Sequence, residues 1–489
     1  MSVRIEIQWN DGVKQDVTNR VLSAEWGWGQ LLENHIGATF ESGTGSLLMR
    51  PEVVHPGGVF DETRTYPGPI VTITSHPEGT LVYRGVSGGI VAEINNRAIR
   101  TVNMTFHGAL WEIGFKYDQV RSVAEESALS GKFIEQVLND VGFPADRRII
   151  APGKSYLNGP RLNRKRVLTS SRGPVTTLHA LDTLTQTELG LMYDNRDRKV
   201  VFEDRESRPA LLASALENAS APALDSLRIL DIKQLPVKDS IINELHSEVS
   251  PAVSRGEKNI TVQPDVPYTL QLNPGQRRYL TWHRVIEADS TTEYVQWNPI
   301  PEMSISGVPS IDAGITDSSG DEVTYYFHNG FAQVAVVSIT NIKGQPFRPA
   351  LQERFYATNP LSIERYGRQS ERLPLDLIIN IDDIKDHLDL VLSKNDGLST
   401  APRTRYTVDI SAQRVDTRAL ALSVEISDLI SLTVPELSIN RRLFFVDKIG
   451  HSVGSDGAHV ATLGLFDSSA YATWQFSFAR FGETTYIGF

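Results

Sequence analysis

The chain of 489 residues contains no cysteine. Disulfides, thiolate nucleophiles and cysteine-ligated zinc are therefore excluded. Long apolar runs are also missing, and none reaches the roughly 18 residues of a membrane-spanning helix. The N-terminal MSVRIEIQWNDG reads as a strand and a turn, without the basic region and apolar core of a secretory signal. There is no basic excess. Lys and Arg number 48 against 59 Asp and Glu, a net charge of −11. This argues against a dedicated nucleic-acid binder. It suits plain solubility, or a surface that nucleic acid passes without adhering. Nucleotide and metal signatures are lacking too: no P-loop, no G-x-G-x-x-G, no H-E-x-x-H and no H-x-H.

What is present suits a folded protein of about three domains, with 40% hydrophobic and 22% charged residues. Its most informative feature is a repeat. Residues 70–107, IVTITSHPEGTLVYRGVSGGIVAEINNRAIRTVNMTFH, and 429–466, LISLTVPELSINRRLFFVDKIGHSVGSDGAHVATLGLF, are equal in length. Both read as four alternating runs: a strand, a second strand after a polar turn, then a return hairpin. Few residues are identical, so the pattern is what repeats. Two copies of one β-module can build a quasi-symmetric ring.

The chain reads as mainly β with an α+β second domain, two β-modules of sheet or barrel type and an inserted small β-sandwich. Residues 1–110 form a first β-domain. It opens with Val3, Ile5, Ile7 and Trp9 at period two and a turn at Asn10-Asp11-Gly12. Residues 111–227 read as α+β. Helices are predicted over 131–144, from Phe133, Val137 and Val141, and over 169–190. The latter has Ser171 as N-cap, Pro174 in its first turn, an apolar face of Val175, Leu178, Leu181, Leu184 and Leu189, and Gly190 past its end. LMYDNRDRKVVFEDR (191–205) then reads as a hairpin turning at Asp194–Arg198. Residues 228–258 and 341–470 carry the closing β-domains, with one helix over 381–395 that places Ile384, Leu388, Val391 and Leu392 on one face. Residues 259–340 read as an inserted small β-sandwich, and 471–489 as an aromatic C-terminal tail.

Each candidate for chemistry has a plainer reading beside it. Gly85-Val86-Ser87-Gly88-Gly89 matches the G-x-S-x-G nucleophile elbow, which needs a helix after the turn. GIVAEI follows and alternates like a strand, so a hairpin is the better reading. His451 and His459 flank a predicted turn and read as ordinary histidines. The acids between Asp182 and Asp204 lack the glycine and final glutamate of a calcium loop. Asp382-Asp383 complement a helix start. Arg161, Arg164, Lys165, Arg166 and Arg172 form a basic cluster, read as a solvated loop rather than a phosphate site. Sequons at Asn103, Asn218 and Asn259 carry little without a secretory signal. The aromatic tail packs on its own chain or docks on a partner. No catalytic, cofactor-binding or metal residue emerges.

The order of these segments resembles the tail hub proteins of long-tailed bacteriophages, the baseplate hub or tail-tip proteins. VLSAEWGWGQ, GTGSLLMRP and Pro67-Gly68-Pro69 leading into IVTI and LVYRGVSGGIVAEI resemble that family's first tube-like domain. FIEQVLNDVGFPADRRII with ALDTLTQTELGLMYDNRDRKVVFEDR resembles its second. VSITNIKGQPFRPA with NPLSIERYGRQSERL resembles the re-entry into its third, and LISLTVPE…RRLFFVDKIGHSV…ATLGLFD its closing strands. The likeness covers most of the chain but not 259–340 or the tail from 471.

The resemblance implies a homotrimer in which each chain gives two tube-like β-modules to a ring. That ring would seat on a six-fold tail tube, offer three-fold symmetry to a fibre or spike, and let double-stranded DNA through its lumen without specific binding. It implies a structural virion protein at the tail tip, assembled in the host cytoplasm, with no enzyme activity and no cofactor. No hydrolase or fibre domain follows residue 489, so cell-wall degradation is not expected of it. The alternatives are a tail-associated hydrolase of polysaccharide or ester acting through Ser87, and a carbohydrate-binding adhesion protein acting through 259–340. The repeat makes its own demand: 70–107 and 429–466 should form related sheets.

Overall fold

The computed structural model describes residues 2–29, 38–39, 42–50, 68–95, 98–116, 127–158, 177–218, 221–235, 241–249, 252–254, 260–263, 268–283, 294–298, 300–318, 322–349, 353–373, 375, 377–378, 381–395 and 405–469. The basic cluster 161–172, Asn259 and the aromatic tail lie outside them, as do Ser171, Pro174 and Val175 of the expected second helix.

The structure is mainly β, with a smaller α+β region and several sheets. Its largest element is one 13-stranded sheet. Ten of its strands carry the argument. From the N-terminal half come β1 (Val21–Gly29), β2 (Thr44–Met49), β3 (Ile70–Ser75), β4 (Leu81–Asn95) and β5 (Ala98–His107). From the C-terminal half come β6 (Ile229–Leu235), β7 (Arg405–Ser411), β8 (Leu429–Val434), β9 (Ile439–Val453) and β10 (His459–Asp467).

Each set pairs antiparallel in the same spatial order: first, second, fifth, fourth, third. The registers agree residue for residue as far as Glu93 and Ser452. Val86 pairs with His107 and Ile70, and Phe445 pairs with Phe466 and Leu429. Several irregularities coincide, although a shift between Glu93 and Ile94 in the first module has no counterpart in the second. A bulge skips Gly88 in β4 and Asp447 in β9. A second skips Leu22 in β1 and Leu230 in β6. The repeat read in the sequence is thus a repeat of hydrogen-bonding register. It is longer than the sequence pattern indicated, since β1 with β2 and β6 with β7 belong to it.

Two expectations need correction. The second and third of the four runs are not separate strands. They form a single strand of 15 residues in each module, β4 and β9, because a bulge bends a strand and adds twist without ending it. Neither module closes into a barrel: among the described residues the strands form an open sheet.

The two modules join edge to edge. The first half of β9 pairs with β8, and its second half, on the same edge, pairs with β1 of the first module, from Lys448↔Gly29 to Val453↔Ala24. Gly27 lies opposite Gly450, and a Cβ on Gly27 would stand 2.6 Å from the Ile449 carbonyl oxygen. One hydrophobic core runs beneath both modules, from Val3, Ile5 and Trp26 through Phe106 to Val408, Ile449 and Leu463. The Val3–Gln8 strand extends the sheet beyond β3.

Between the modules in sequence lies the α+β region. It contains α1 (Ala109–Lys116), α2 (Ser130–Asp140), α3 (Thr177–Glu188) and α4 (Ser207–Asn218). Its hairpin Leu191–Asp194/Val200–Glu203 pairs antiparallel. In α3, Leu181 and Leu184 are buried as the periodicity requires, and Gly190 lies past its end, after Leu189 in the left-handed region with φ of 57°. Helix α5 (Ile381–Asn395) buries Ile384, Leu388, Val391 and Leu392 in the same core. The described residues between 252 and 349 build two further sheets, of six and three strands, around Leu270, Tyr325, Phe327 and Val337.

Candidate functional site: the joint between the modules

The joint is built from the first module's β1, the second module's β9 and β10, and one turn of the α+β hairpin. Aromatic residues on β1 meet histidines. Trp26 stacks on His451 at 4.9 Å, and Trp28 stacks on Tyr83 at 5.4 Å. His451 Nδ1 lies 3.0 Å from His459 Nε2, and His459 Nδ1 lies 2.6 Å from Ser2 Oγ. The pair flanks the 454–458 turn as expected, and both rings are buried. Burial pushes the His451 imidazole well below its usual range and holds His459 down to about 4. Both are neutral near neutral pH, so the chain of hydrogen bonds carries no charge through the joint.

The hairpin turn expected at Asp194–Arg198 supplies the polar clamp. Arg196 reaches both modules. Its Nη1 donates to the carbonyls of Leu81, at 3.3 Å, and Leu422, at 2.8 Å, and its Nη2 to Val424 at 2.6 Å. Its Nε donates to Glu425, which also accepts from Trp28 Nε1 at 3.2 Å. Leu422 and Val424 end the Val415–Ser423 helix, so the guanidinium sits where a helix C-terminus favours a cation. Asp194 is fully buried. It accepts from Ser42 Oγ at 2.6 Å, Gly43 N at 3.0 Å and Leu110 N at 2.7 Å, while burial lifts its carboxyl to about 6. Glu112 holds Arg147 at 2.8 Å and Arg198 at 2.6 Å; burial works to raise its carboxyl, and these two cations together overcome it and draw it down to about 2. The three acids thus serve separate joints. The remaining acids of the 182–204 run also fail to converge. Asp182 lies on α3, and Asp204 accepts from Ser207 Oγ at 2.9 Å ahead of α4. No cluster of three metal-ligating side chains occurs among the described residues.

At its bulge the second module carries a buried ion pair. Asp447 is the residue skipped in the β9 ladder, and Arg208 of α4 lies 2.6 Å from it. Arg208 also donates from Nε to Ser427 Oγ at 3.1 Å and lies over the Phe445 ring at 5.0 Å. Sequence periodicity gave no signal for this contact, because the partners are far apart and Asp447 interrupts an apolar strand.

Ser87, the elbow candidate, lies within β4 beside the matching bulge. It is 4% exposed, its Oγ donates to Gly89 O at 3.4 Å, and the chain continues as strand rather than helix. No histidine is bonded to it among the described residues. Nearby His107 stacks on Trp111 at 4.5 Å. Asn103 lies on β5 and Asn218 at the end of α4. Asp382 and Asp383 occupy the first turn of α5. No helix among the described residues is long and apolar enough to cross a membrane.

With this geometry in hand, the likeness to known proteins is one of fold. No family model matches the chain, and no curated protein matches it. Among solved structures, it is similar in fold to tail proteins. The tail protein from Neisseria meningitidis matches with a TM-score of 0.51 at 10% identity, over 96% of this chain and 98% of that one. A 43 kDa tail protein of prophage MuSo2 from Shewanella oneidensis gives a TM-score of 0.48 at 9% identity, over 96% and 99%. An E. coli type VI secretion component, described as similar to bacteriophage T4 tail proteins, gives 0.38 at 6%, over 92% and 73%.

Proposed function

We propose that this chain is a structural protein of a bacteriophage tail, a hub that closes into a ring at the distal end of the tail tube. Three copies supply six equivalent modules, which seat on a six-fold tube and present three-fold symmetry to a fibre or spike. Double-stranded DNA passes through the lumen without specific binding, and the protein works in the virion without catalysis. The observation that carries this reading is the shared register of the two modules. Two copies of one ladder, joined edge to edge in a single chain, are half-equivalent units of a ring with twice the chain's symmetry. The fold likeness to a tail protein supports the setting. The insertion over 259–340 is read as decoration on the ring's outside.

Mass measurement and negative-stain imaging of the purified full-length chain test the proposal. The expected outcome is a three-fold ring with six similar lobes. A two-fold dimer, or a particle whose two modules occupy unrelated radii, would sink it.

A further inference from the structure

The internal joint shows how one module receives the next, and it leaves two counterparts unused. In the second module, the far half of β9 is covered by β1. The matching far half of β4 has no strand on that edge among the described residues. In the first module, β1 pairs on both sides. Among the described residues, its counterpart β6 pairs with β7 alone and ends the sheet. Exposure follows the difference. Ile449 of β9 is fully buried, while its counterpart Ile90 on β4 is only partly so, and Val91 beside it is 64% exposed. Along β6, Leu230 is 53% exposed. An uncovered, partly apolar strand edge is a template for another strand.

We infer that β6 of one copy pairs antiparallel with the far half of β4 in a second copy of this chain, repeating between chains the register that joins β1 to β9 within one. The inference rests on the ring reading and names its contact. Carrying the observed pairs Ala24↔Val453, Glu25↔Ser452 and Gly27↔Gly450 across the repeat puts Ile232 opposite Ile94, Lys233 opposite Glu93, and Leu235 opposite Val91. Two apolar pairs thus flank a pair of opposite charge, the combination that favours one register over its neighbours. The contact is heterologous, since edge β6 and edge β4 are different surfaces. It therefore propagates until rotation closes it.

The lack of native cysteine makes the register directly testable on the full-length chain. Leu235→Cys with Val91→Cys should form covalent multimers on oxidation, ending at the closed ring, because directly opposed antiparallel residues fall within disulfide reach. The shifted pair Leu235→Cys with Ile94→Cys should not. In a cysteine-free background, Lys233→Glu should weaken self-association roughly tenfold. Adding Glu93→Lys to that variant should restore it, which a folding defect would not allow. Multimers by mass without the matched cross-link would overturn this contact and leave the ring reading standing. A chain that remains monomeric and uncross-linked throughout the concentration range would overturn the contact and count against the ring.

Discussion

The two modules share one ladder but fill its central layer with opposite choices of side chain. In the first, Phe106 on β5 stands between Gly45 on β2 and Gly85 on β4. A Cβ on either glycine would lie 2.2 or 2.7 Å from its ring. At the same positions the second module has Leu465 between Tyr406 and Phe444, and those two rings meet edge-on at 5.6 Å. One large residue between two small ones exchanges with a smaller one between two large ones. Side-chain volume at these three positions is much larger in the second module, so the register is kept while both identity and local volume change. Backbone register can therefore outlast side-chain identity. The modules also differ at their bulges, where Gly88 stands against Asp447, and at the joint, where Ala92 occupies the register position of His451.

The bulge difference predicts the largest effect. Arg208→Met leaves Asp447 buried without its cation. Removing one partner of such a pair should cost about 3–5 kcal/mol, read as a lower denaturant midpoint. Arg208→Met with Asp447→Leu should recover most of that loss, because apolar replacement of a whole buried pair is often neutral. If the single variant is nearly neutral, the second module does not depend on an ionic bulge, and this contrast with Gly88 collapses.

Acid should also separate the modules. His459 titrates near 4 when folded, against about 6.5 unfolded. The unfolded chain therefore binds more protons between these values, and stability falls as pH falls through that window. The contribution is complete above about 6.5 and amounts to about 3 kcal/mol at most. Asp194, lifted to about 6 by burial, acts with the opposite sign and favours the fold at the acid end. Comparing denaturant midpoints at several pH values in wild type and His459→Gln isolates the histidine. The variant should be less stable near neutrality and show a shallower acid decline. An unchanged slope would mean that the buried histidines do not tie the joint to pH.

The packing inversion predicts a smaller effect with a rescue. Gly45→Ala presses a methyl into the Phe106 ring and should cost about 1–3 kcal/mol. Adding Phe106→Leu, the residue type found at the second module's matching position, should recover part of it. A double-mutant cycle with no coupling would show that the two layers are not packed as inverted versions of each other.

How much of this was legible in the sequence follows from the same contrast. Period-two alternation exposed both modules and their alignment from Ile70 to His107, because each strand buries one face. The α5 stripe was legible for the same reason at helical period. The strands β1, β2, β6 and β7 were not recognised as part of the repeat. Each lies far in sequence from the strands it joins, and only long-range pairing reveals its place. The joint was hidden for a related reason: Trp26, His451 and Arg196 meet across the whole chain, and none sits in a local motif. Gly190 lies past the end of α3 as expected, while the left-handed position after the helix is Leu189, which local preference would not have chosen.

The smallest predicted effect concerns Ser87, and it bears on chemistry as well as packing. Its counterpart across the repeat is Val446, so the ladder position itself asks for no hydroxyl. The bond its Oγ makes among the described residues, to Gly89 O at 3.4 Å, is long, and losing it should cost less than about 1 kcal/mol. Ser87→Ala should therefore shift the denaturant midpoint little and leave assembly unchanged. Were Ser87 instead a nucleophile, alanine would abolish hydrolysis of esters or surface polysaccharide at undiminished stability. Assaying wild type and variant together decides it: hydrolysis present in the first and lost in the second would turn this bulge from a feature of the ladder into an active site, and the first module would then differ from the second in function as well as in packing.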